Sequence, residues 1–109
     1  MVLGLTFKEN CPDLRNSRVV DIIDGFKDLN AEVHVHDPWA TSEEVKSIYD
    51  IALQENPLEH GSYDAIILAV GHNEYIEMGA YKIRALGKSN AIFFDIKAVF
   101  ERDESDGRL

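Results

Sequence analysis

The sequence has one cysteine, few basic residues and no long apolar run. Cys11 cannot form an intramolecular disulfide, which fits a reducing compartment. The longest apolar run, residues 65–70, is far shorter than the roughly 20 residues that a membrane span needs, and the sequence does not open with a basic-then-apolar leader. We therefore expect a cytoplasmic protein without a membrane partner.

Acidic side chains outnumber basic ones by 20 to 11, which gives a formal charge of −9. A surface with this balance repels polyanions, so nucleic acid is not an expected partner. A phosphate-binding site in such a protein must be made from a local group of cations. The 109 residues suit one hydrophobic core, so we expect residues 1–109 to form a single domain.

An apolar run over residues 2–6 predicts a strand at the very start of the chain. Because no turn or cap comes before it, we expect the native chain to continue upstream of Met1. Residues 7–16 are polar and are broken by Pro12, which predicts a loop.

A strand, helix, strand pattern follows from the next residues. Apolar residues recur at three- and four-residue steps over residues 17–29, which predicts an amphipathic helix capped by Asn16 or Ser17. Residues 32–36 alternate like a strand that ends before Pro38. Two strands joined by one helix predict a right-handed parallel crossover, the repeating unit of a doubly wound sheet.

The second half of the chain continues the alternation of helices and strands. The predicted elements are a helix over residues 42–49 capped by Ser42, a loop over 54–62, a strand over 65–70, short helical turns over 74–86, a strand over 91–95 and a charged surface tail over 101–109. The strand over 65–70 is apolar throughout, which is typical of a central strand covered on both faces. The predicted fold is therefore α/β, a Rossmann-like, doubly wound parallel sheet in three layers.

Candidate binding residues follow the ends of the predicted strands, where open parallel sheets bind their ligands. Phe7 and Lys8 come after the first strand, and Lys97 comes after the last. Arg15 lies just ahead of the first helix, whose free backbone N–H groups can also bind an anion. The pattern is consistent with a local anion site, although spacing alone equally allows loop cations that are merely solvated.

Residues 3–17, LGLTFKENCPDLRNS, closely resemble the segment that opens the C-terminal domain of the UDP-glucose/GDP-mannose dehydrogenase family. The family pattern there is a glycine, Phe-Lys, then Asp-x-Arg and a small residue. Asp37-Pro38, the strand at 65–70 and FDIK at residues 94–97 extend the resemblance over essentially the whole chain. The ENCPDLR segment and the terminal DGRL are most similar to bacterial enzymes that act on UDP-N-acetylhexosamines for surface polysaccharides.

This resemblance implies a UDP-sugar 6-dehydrogenase, which oxidises the sugar C6 alcohol to a carboxylate with two NAD and a cysteine thioester intermediate. It implies that Phe7 and Lys8 contact the UDP-sugar. It also implies that Arg15 reaches NAD, which is bound mainly by an absent N-terminal domain. Lys97 stands where many relatives carry a substrate-contacting arginine, and it keeps that charge but loses the bidentate fork.

Parts of the catalytic apparatus of that family are missing from the sequence. Gly4 is followed by Leu-Thr-Phe, so there is no G-x-G-x-x-G, and the nucleophilic cysteine of the family lies upstream. Cys11 falls in a loop where relatives often have threonine, and we interpret it as structural. We expect a fragment that is inactive alone, with the UDP-sugar and the missing N-terminal and central domains as partners, from an enzyme that is a homo-oligomer at full length.

Other polar residues receive simpler interpretations. His34 and His36 would project from one face of a strand, yet no further His or Cys cluster completes a metal site, so we expect a structural or surface pair and no metal. His72, beside Asn73, is interpreted as a helix start. Trp39 is interpreted as a packing residue.

Two other protein classes share the predicted fold. A phosphoacceptor receiver domain needs an aspartate at the end of its third strand and an acidic pair after its first. The sequence has Val70-Gly71 and Phe7-Lys8 at those places, which argues against a receiver. A standalone, non-catalytic nucleotide-binding or assembly module stays open as the alternative.

Overall fold

A five-stranded sheet in which every neighbouring pair is parallel forms the centre of the computed structural model, which describes residues 1–56 and 58–109. The strands are β1 (Val2–Leu3), β2 (Val35–His36), β3 (Tyr63–Leu68), β4 (Gly87–Asp95) and β5 (Gly107–Arg108). The helices are α1 (Val19–Asp28), α2 (Ser42–Tyr49), α3 (Asn73–Met78) and α4 (Ala80–Arg84), with a 3-10 turn at Arg102–Glu104. The strand order is β2-β1-β3-β4-β5, so β3 is central, as predicted.

Apolar side chains from successive strand residues pack into two hydrophobic cores, one on each face of the sheet. In β1, Val2 packs with residues of α1 and α2, whereas Leu3 packs with residues of α3 and α4. Each strand residue points to the face opposite its neighbour, so one short strand serves both cores. The helices therefore cover both faces, which confirms the three-layer, Rossmann-like α/β prediction.

Strand β2 begins at Val35, later than predicted, and β1 is shorter than predicted because polar contacts replace strand pairing after Leu3. β1 stops at Leu3, and Gly4 turns the chain with φ +97° while its N–H donates to the His36 carbonyl at 2.8 Å. The next two amides, of Leu5 and Thr6, donate to the Asp37 carboxylate instead of to a neighbouring strand. The prediction of a strand through residue 6 is therefore wrong.

Both predicted helix caps are also wrong. Helix α1 begins at Val19 with no side-chain cap, because the Ser17 hydroxyl donates to the Leu5 carbonyl and is used for a tertiary contact. Helix α2 has the predicted bounds, but its N-cap is Thr41, whose hydroxyl accepts the Glu44 N–H at 3.4 Å.

The C-terminal residues do not form the predicted surface tail. Strand β5 extends the sheet, pairing Phe94 with Gly107 and Asp95 with Arg108. A Cβ on Gly107 would lie 2.8 Å from the Phe94 ring, so glycine allows the close approach of the last strand. A two-residue strand has no hydrophobic periodicity, which is why the sequence did not indicate it.

The predicted loop over residues 54–62 includes Pro57, which lies outside the described residues. The rest of that segment contains neither helix nor strand. No helix in the described part of the chain has the length and apolarity to cross a lipid bilayer.

Replacing Gly4 with alanine should destabilise the fold by about 2–4 kcal/mol, because it combines a positive φ with overpacking. The added Cβ would lie 2.6 Å from the Val70 Cβ. The matched control is Gly25→Ala in α1, where nothing lies within 4 Å and where alanine should stabilise by about 0.5–1 kcal/mol. Urea unfolding of both variants tests this, and equal effects would contradict it.

Candidate functional site

The carboxyl ends of all the strands meet at one edge of the sheet, here called the carboxyl edge. Lys8 lies five residues beyond β1, and Lys97 lies two residues beyond β4; both are exposed. The Phe7 side chain is 51% exposed beside Lys8. One strand separates β1 from β4, so the two strand ends lie about 10 Å apart. The fold thus brings Phe7, Lys8 and Lys97 to the same edge.

Arg15 occupies the loop between β1 and α1, and its side chain is 85% exposed. Its Nε and Nη2 donate to the two carboxylate oxygens of Asp13 at 3.1 and 3.3 Å. The hydrogen bond from Arg15 holds the pKa of the Asp13 carboxyl below its usual value. One edge of the guanidinium is therefore oriented by Asp13, while the remainder faces solvent.

Arg108 is a cation at this edge that the sequence analysis missed. Strand β5 pairs Arg108 with Asp95 at the end of β4, and Asp95 precedes Lys97 by two residues. Its Nη1 donates to the Phe100 carbonyl at 3.1 Å, and no described acidic side chain forms an ion pair with it. No sequence signal could place it, because its position depends on the pairing of β5.

Beneath these exposed residues lies the buried carboxylate of Asp37, just after β2. Its Oδ2 accepts the Leu5 N–H at 2.6 Å, the Thr6 N–H at 3.0 Å and a hydrogen bond from His72 Nε2 at 3.0 Å. Its Oδ1 accepts the Trp39 N–H at 2.7 Å. Burial alone would raise the pKa of Asp37, but the hydrogen bonds from His72 and the two amides outweigh burial and keep that pKa below its ordinary value.

The imidazole of His72 is fully buried and contacts the loop after β1 at two points. Its Nδ1 accepts the backbone N–H of Asn10 at 2.9 Å, so the ring proton must reside on Nε2. Nε2 also lies 3.1 Å from the hydroxyl of Thr6, which donates to the Lys8 carbonyl at 3.2 Å. The interpretation of His72 as a simple helix start missed this network, because its partners are 35 to 66 residues away.

His36 and Tyr75 extend the buried polar layer. The Tyr75 hydroxyl donates to the His36 carbonyl at 2.9 Å, and it lies 2.8 Å from His36 Nδ1. Burial lowers the pKa of His36 and raises the pKa of Tyr75 well above its usual value. Both side chains are therefore neutral near pH 7 and serve to link β2 with α3.

Trp39 packs as predicted. Its indole stacks on the His72 ring, with centroids 6.0 Å apart, and its Nε1 donates to Glu74 at 2.9 Å. His34 bonds the Tyr63 hydroxyl at 2.9 Å and Glu32 at 3.2 Å, so it contacts a different tyrosine from His36. Among the described residues, no group of three or more His, Cys, Asp or Glu could hold a metal ion.

A concave surface that encloses a volume of about 400 Å³ lies at the opposite, amino edge of the sheet. Its lining includes His34 and Tyr63 together with the acidic side chains of Glu32, Glu59 and Asp64. Carboxylates repel a phosphate group, and the exposed cations Lys8 and Lys97 are at the other edge. The most concave surface therefore lies at one edge and the exposed lysines lie at the other. For an anionic ligand, charge favours the carboxyl edge as the binding site.

Replacing Asp37 with asparagine should destabilise the fold by about 2–4 kcal/mol at pH 7, because an amide cannot accept from all four donors. The depressed pKa of Asp37 means that its contribution is complete above the ordinary carboxyl value, about 4, and is lost as the pH falls through the folded-state value. Urea unfolding at pH 7 and pH 3 should show a smaller gap to the parent at pH 3. Asp24→Asn, at an exposed position of α1, is the control, and a gap independent of pH would contradict the prediction.

Comparison with known proteins shows the family to which this sequence belongs. Residues 1–102 match the model of the UDP-glucose/GDP-mannose dehydrogenase family, UDP binding domain. The whole chain is 49% identical to 26% of the UDP-N-acetyl-D-glucosamine 6-dehydrogenase of Pseudomonas aeruginosa, and 41% identical to 25% of the Salmonella typhi enzyme with the same name. Protein CapL of Staphylococcus aureus is 42% identical over 94% of the chain.

The chain thus spans about a quarter of the length of these curated relatives. The match extends from β1 to the 3-10 turn and includes the Phe7-Lys8 loop, Asp37, His72 and Lys97. The chain belongs to the UDP-glucose/GDP-mannose dehydrogenase family and corresponds to its UDP-binding domain.

Proposed function

We propose that residues 1–109 are the UDP-sugar-binding domain of an NAD-dependent UDP-sugar 6-dehydrogenase, and that Phe7, Lys8 and Lys97 bind the UDP-sugar at the carboxyl edge. The observation that carries this proposal is the convergence of two exposed lysines on one sheet edge of a protein with charge −9. No described acidic side chain forms an ion pair with Lys8 or Lys97, so their ammonium groups are available to phosphate.

Phe7 suits the organic part of the same ligand. Its ring is half exposed at the carboxyl edge, and its backbone is fixed by the hydrogen bond from its N–H to the Asp13 carbonyl at 2.8 Å. An aromatic ring in this position can bury apolar surface against a base or a sugar while Lys8, next in the chain, reaches the phosphates.

The turn after β1 does not fit a dinucleotide pyrophosphate. In dinucleotide-binding folds, a glycine at this turn lets the ligand approach free backbone N–H groups. Here the space beside Gly4 is filled by Val70, and the Leu5 and Thr6 amides are already bonded to Asp37. We therefore assign NAD binding mainly to a domain outside this chain, where NAD would accept the hydride.

Arg15 is the residue of this chain that we propose to contact that NAD. Its guanidinium is exposed and oriented by Asp13, so part of its donor fork is free for a pyrophosphate from a neighbouring domain. The other partners in this proposal are the N-terminal and central domains of a longer polypeptide, which forms a homo-oligomer.

UDP should bind the 109-residue chain weakly and shift the amide resonances of Phe7, Lys8 and Lys97 in a titration followed by NMR. Lys8→Ala and Lys97→Ala should each weaken UDP binding about tenfold, since a charge-assisted hydrogen bond contributes about 1.5–3 kcal/mol. Lys82→Ala is the matched control, because Lys82 is an exposed lysine of α4 that lies near Leu86, at the amino edge.

Uridine provides a second control for this titration. It lacks phosphate, so its weaker binding should not change in the two lysine variants. UDP shifts centred on the acidic concave surface at the amino edge would remove the basis of the proposed site.

The chain alone should not reduce NAD with any UDP-sugar. The Leu5 and Thr6 amides of the turn after β1 are already bonded to Asp37, and the family resemblance implies that the nucleophilic cysteine lies in another domain. Absorbance of NADH at saturating UDP-N-acetylglucosamine and UDP-glucose checks this, and turnover that survives repurification would contradict the fragment hypothesis.

In the longer polypeptide, Arg15→Ala should raise the KM for NAD more than the KM for the UDP-sugar. A standalone module instead predicts UDP affinity that does not increase when the other domains are supplied.

A further inference from the structure

One imidazole ties together the two ends of the segment that carries Phe7 and Lys8. His72 Nε2 lies 3.1 Å from the Thr6 hydroxyl, just before that pair, and Nδ1 accepts the Asn10 N–H at 2.9 Å, just after it. Because His72 follows β3, these contacts attach the loop to the segment after the central strand of the sheet.

The orientation of the ring is fixed from several sides. Asp37 Oδ2 lies 3.0 Å from Nε2, Trp39 stacks on one face, and the side chain of His72 is fully buried. A second hydrogen bond of this kind usually decides which imidazole nitrogen carries the proton. Here Asp37 keeps the proton on Nε2, which leaves Nδ1 as an acceptor aimed at Asn10.

Asn10 is a specific anchor rather than an arbitrary loop residue. Its backbone has φ +56°, a left-handed conformation that asparagine tolerates better than most residues. Its side-chain Oδ1 accepts the Asn73 N–H at 2.8 Å, so the corner between β3 and α3 holds Asn10 at two points.

We infer that His72 is a positioning residue, which holds Lys8 at the carboxyl edge through the hydrogen bond between its Nδ1 and the Asn10 amide. His72 does not touch the ligand, because its side chain is fully buried. Lys8 lies between two anchored residues and is itself exposed, so its position depends on both anchors. The inference rests on the proposed binding of UDP by Lys8, whereas the loop geometry is independent of that proposal.

Two variants distinguish the hydrogen bond made by Nδ1 from the hydrogen bond made by Nε2. His72→Asn places a side-chain oxygen near the position of Nδ1 and can still accept from Asn10. His72→Gln places an amide near the position of Nε2 and can still donate to Asp37, but it offers nothing to Asn10. A purely structural role predicts that UDP affinity does not distinguish the two variants once both are folded.

The positioning role predicts that His72→Gln speeds hydrogen exchange of the Asn10 amide at least tenfold and weakens UDP binding about fivefold or more, for the loss of one hydrogen bond. His72→Asn should restore both measurements toward the parent values. Urea unfolding of each variant establishes that it is folded under the conditions of the titration. Equal UDP affinity in parent and His72→Gln, with UDP bound at Lys8, would overturn the inference.

The parent chain gives a test that needs no variant. The imidazole Nδ1 should show the nitrogen chemical shift of an unprotonated ring atom and a coupling to the Asn10 amide nitrogen across the hydrogen bond. Absence of that coupling overturns the positioning role even if UDP binds. If UDP does not bind the parent chain at all, the proposed function fails, while the coupling and the Asn10 exchange rates still decide whether His72 holds the loop.

Discussion

The carboxyl edge depends on one buried carboxylate, that of Asp37. Its two oxygens collect donors from the loop after β1, from the turn after β2 and from His72 after β3. Removing a charge from water is costly, and here four hydrogen bonds offset that cost. The Asp37 carboxylate thus connects the segments that follow β1, β2 and β3.

This arrangement has a consequence for how the edge can bind an anion. The backbone amides of Leu5 and Thr6 would be free donors in a dinucleotide-binding turn, but here they are used internally by Asp37. In the proposed site, exposed side chains such as Lys8 and Lys97 would therefore supply the phosphate contacts that the amides of this turn do not. In a chain with charge −9, the proposed site would attract phosphate only at short range, because the surrounding surface repels it.

Much of the fold could be predicted because hydrophobic periodicity is a local property. The spacing of apolar residues in α1 and the unbroken apolar run of β3 indicated their type and their place in a doubly wound sheet. The cap at Ser17 and the tail at residues 101–109 were predicted wrongly for one reason. Ser17 and β5 each satisfy their hydrogen bonds with distant partners, and local pattern carries no information about those partners.

By itself, the sequence determined the fold class and the order of the main elements. It also indicated the candidate residues Phe7, Lys8 and Lys97, because each of these three residues follows an apolar segment that must become a buried strand. Only the tertiary structure decided the remainder of the site. It revealed Arg108 at the edge and the Asp37–His72 network beneath it, since both arise from contacts between segments far apart in the chain. A short strand or a lone histidine has no amphipathic pattern, and its role is set by the neighbours that folding brings to it.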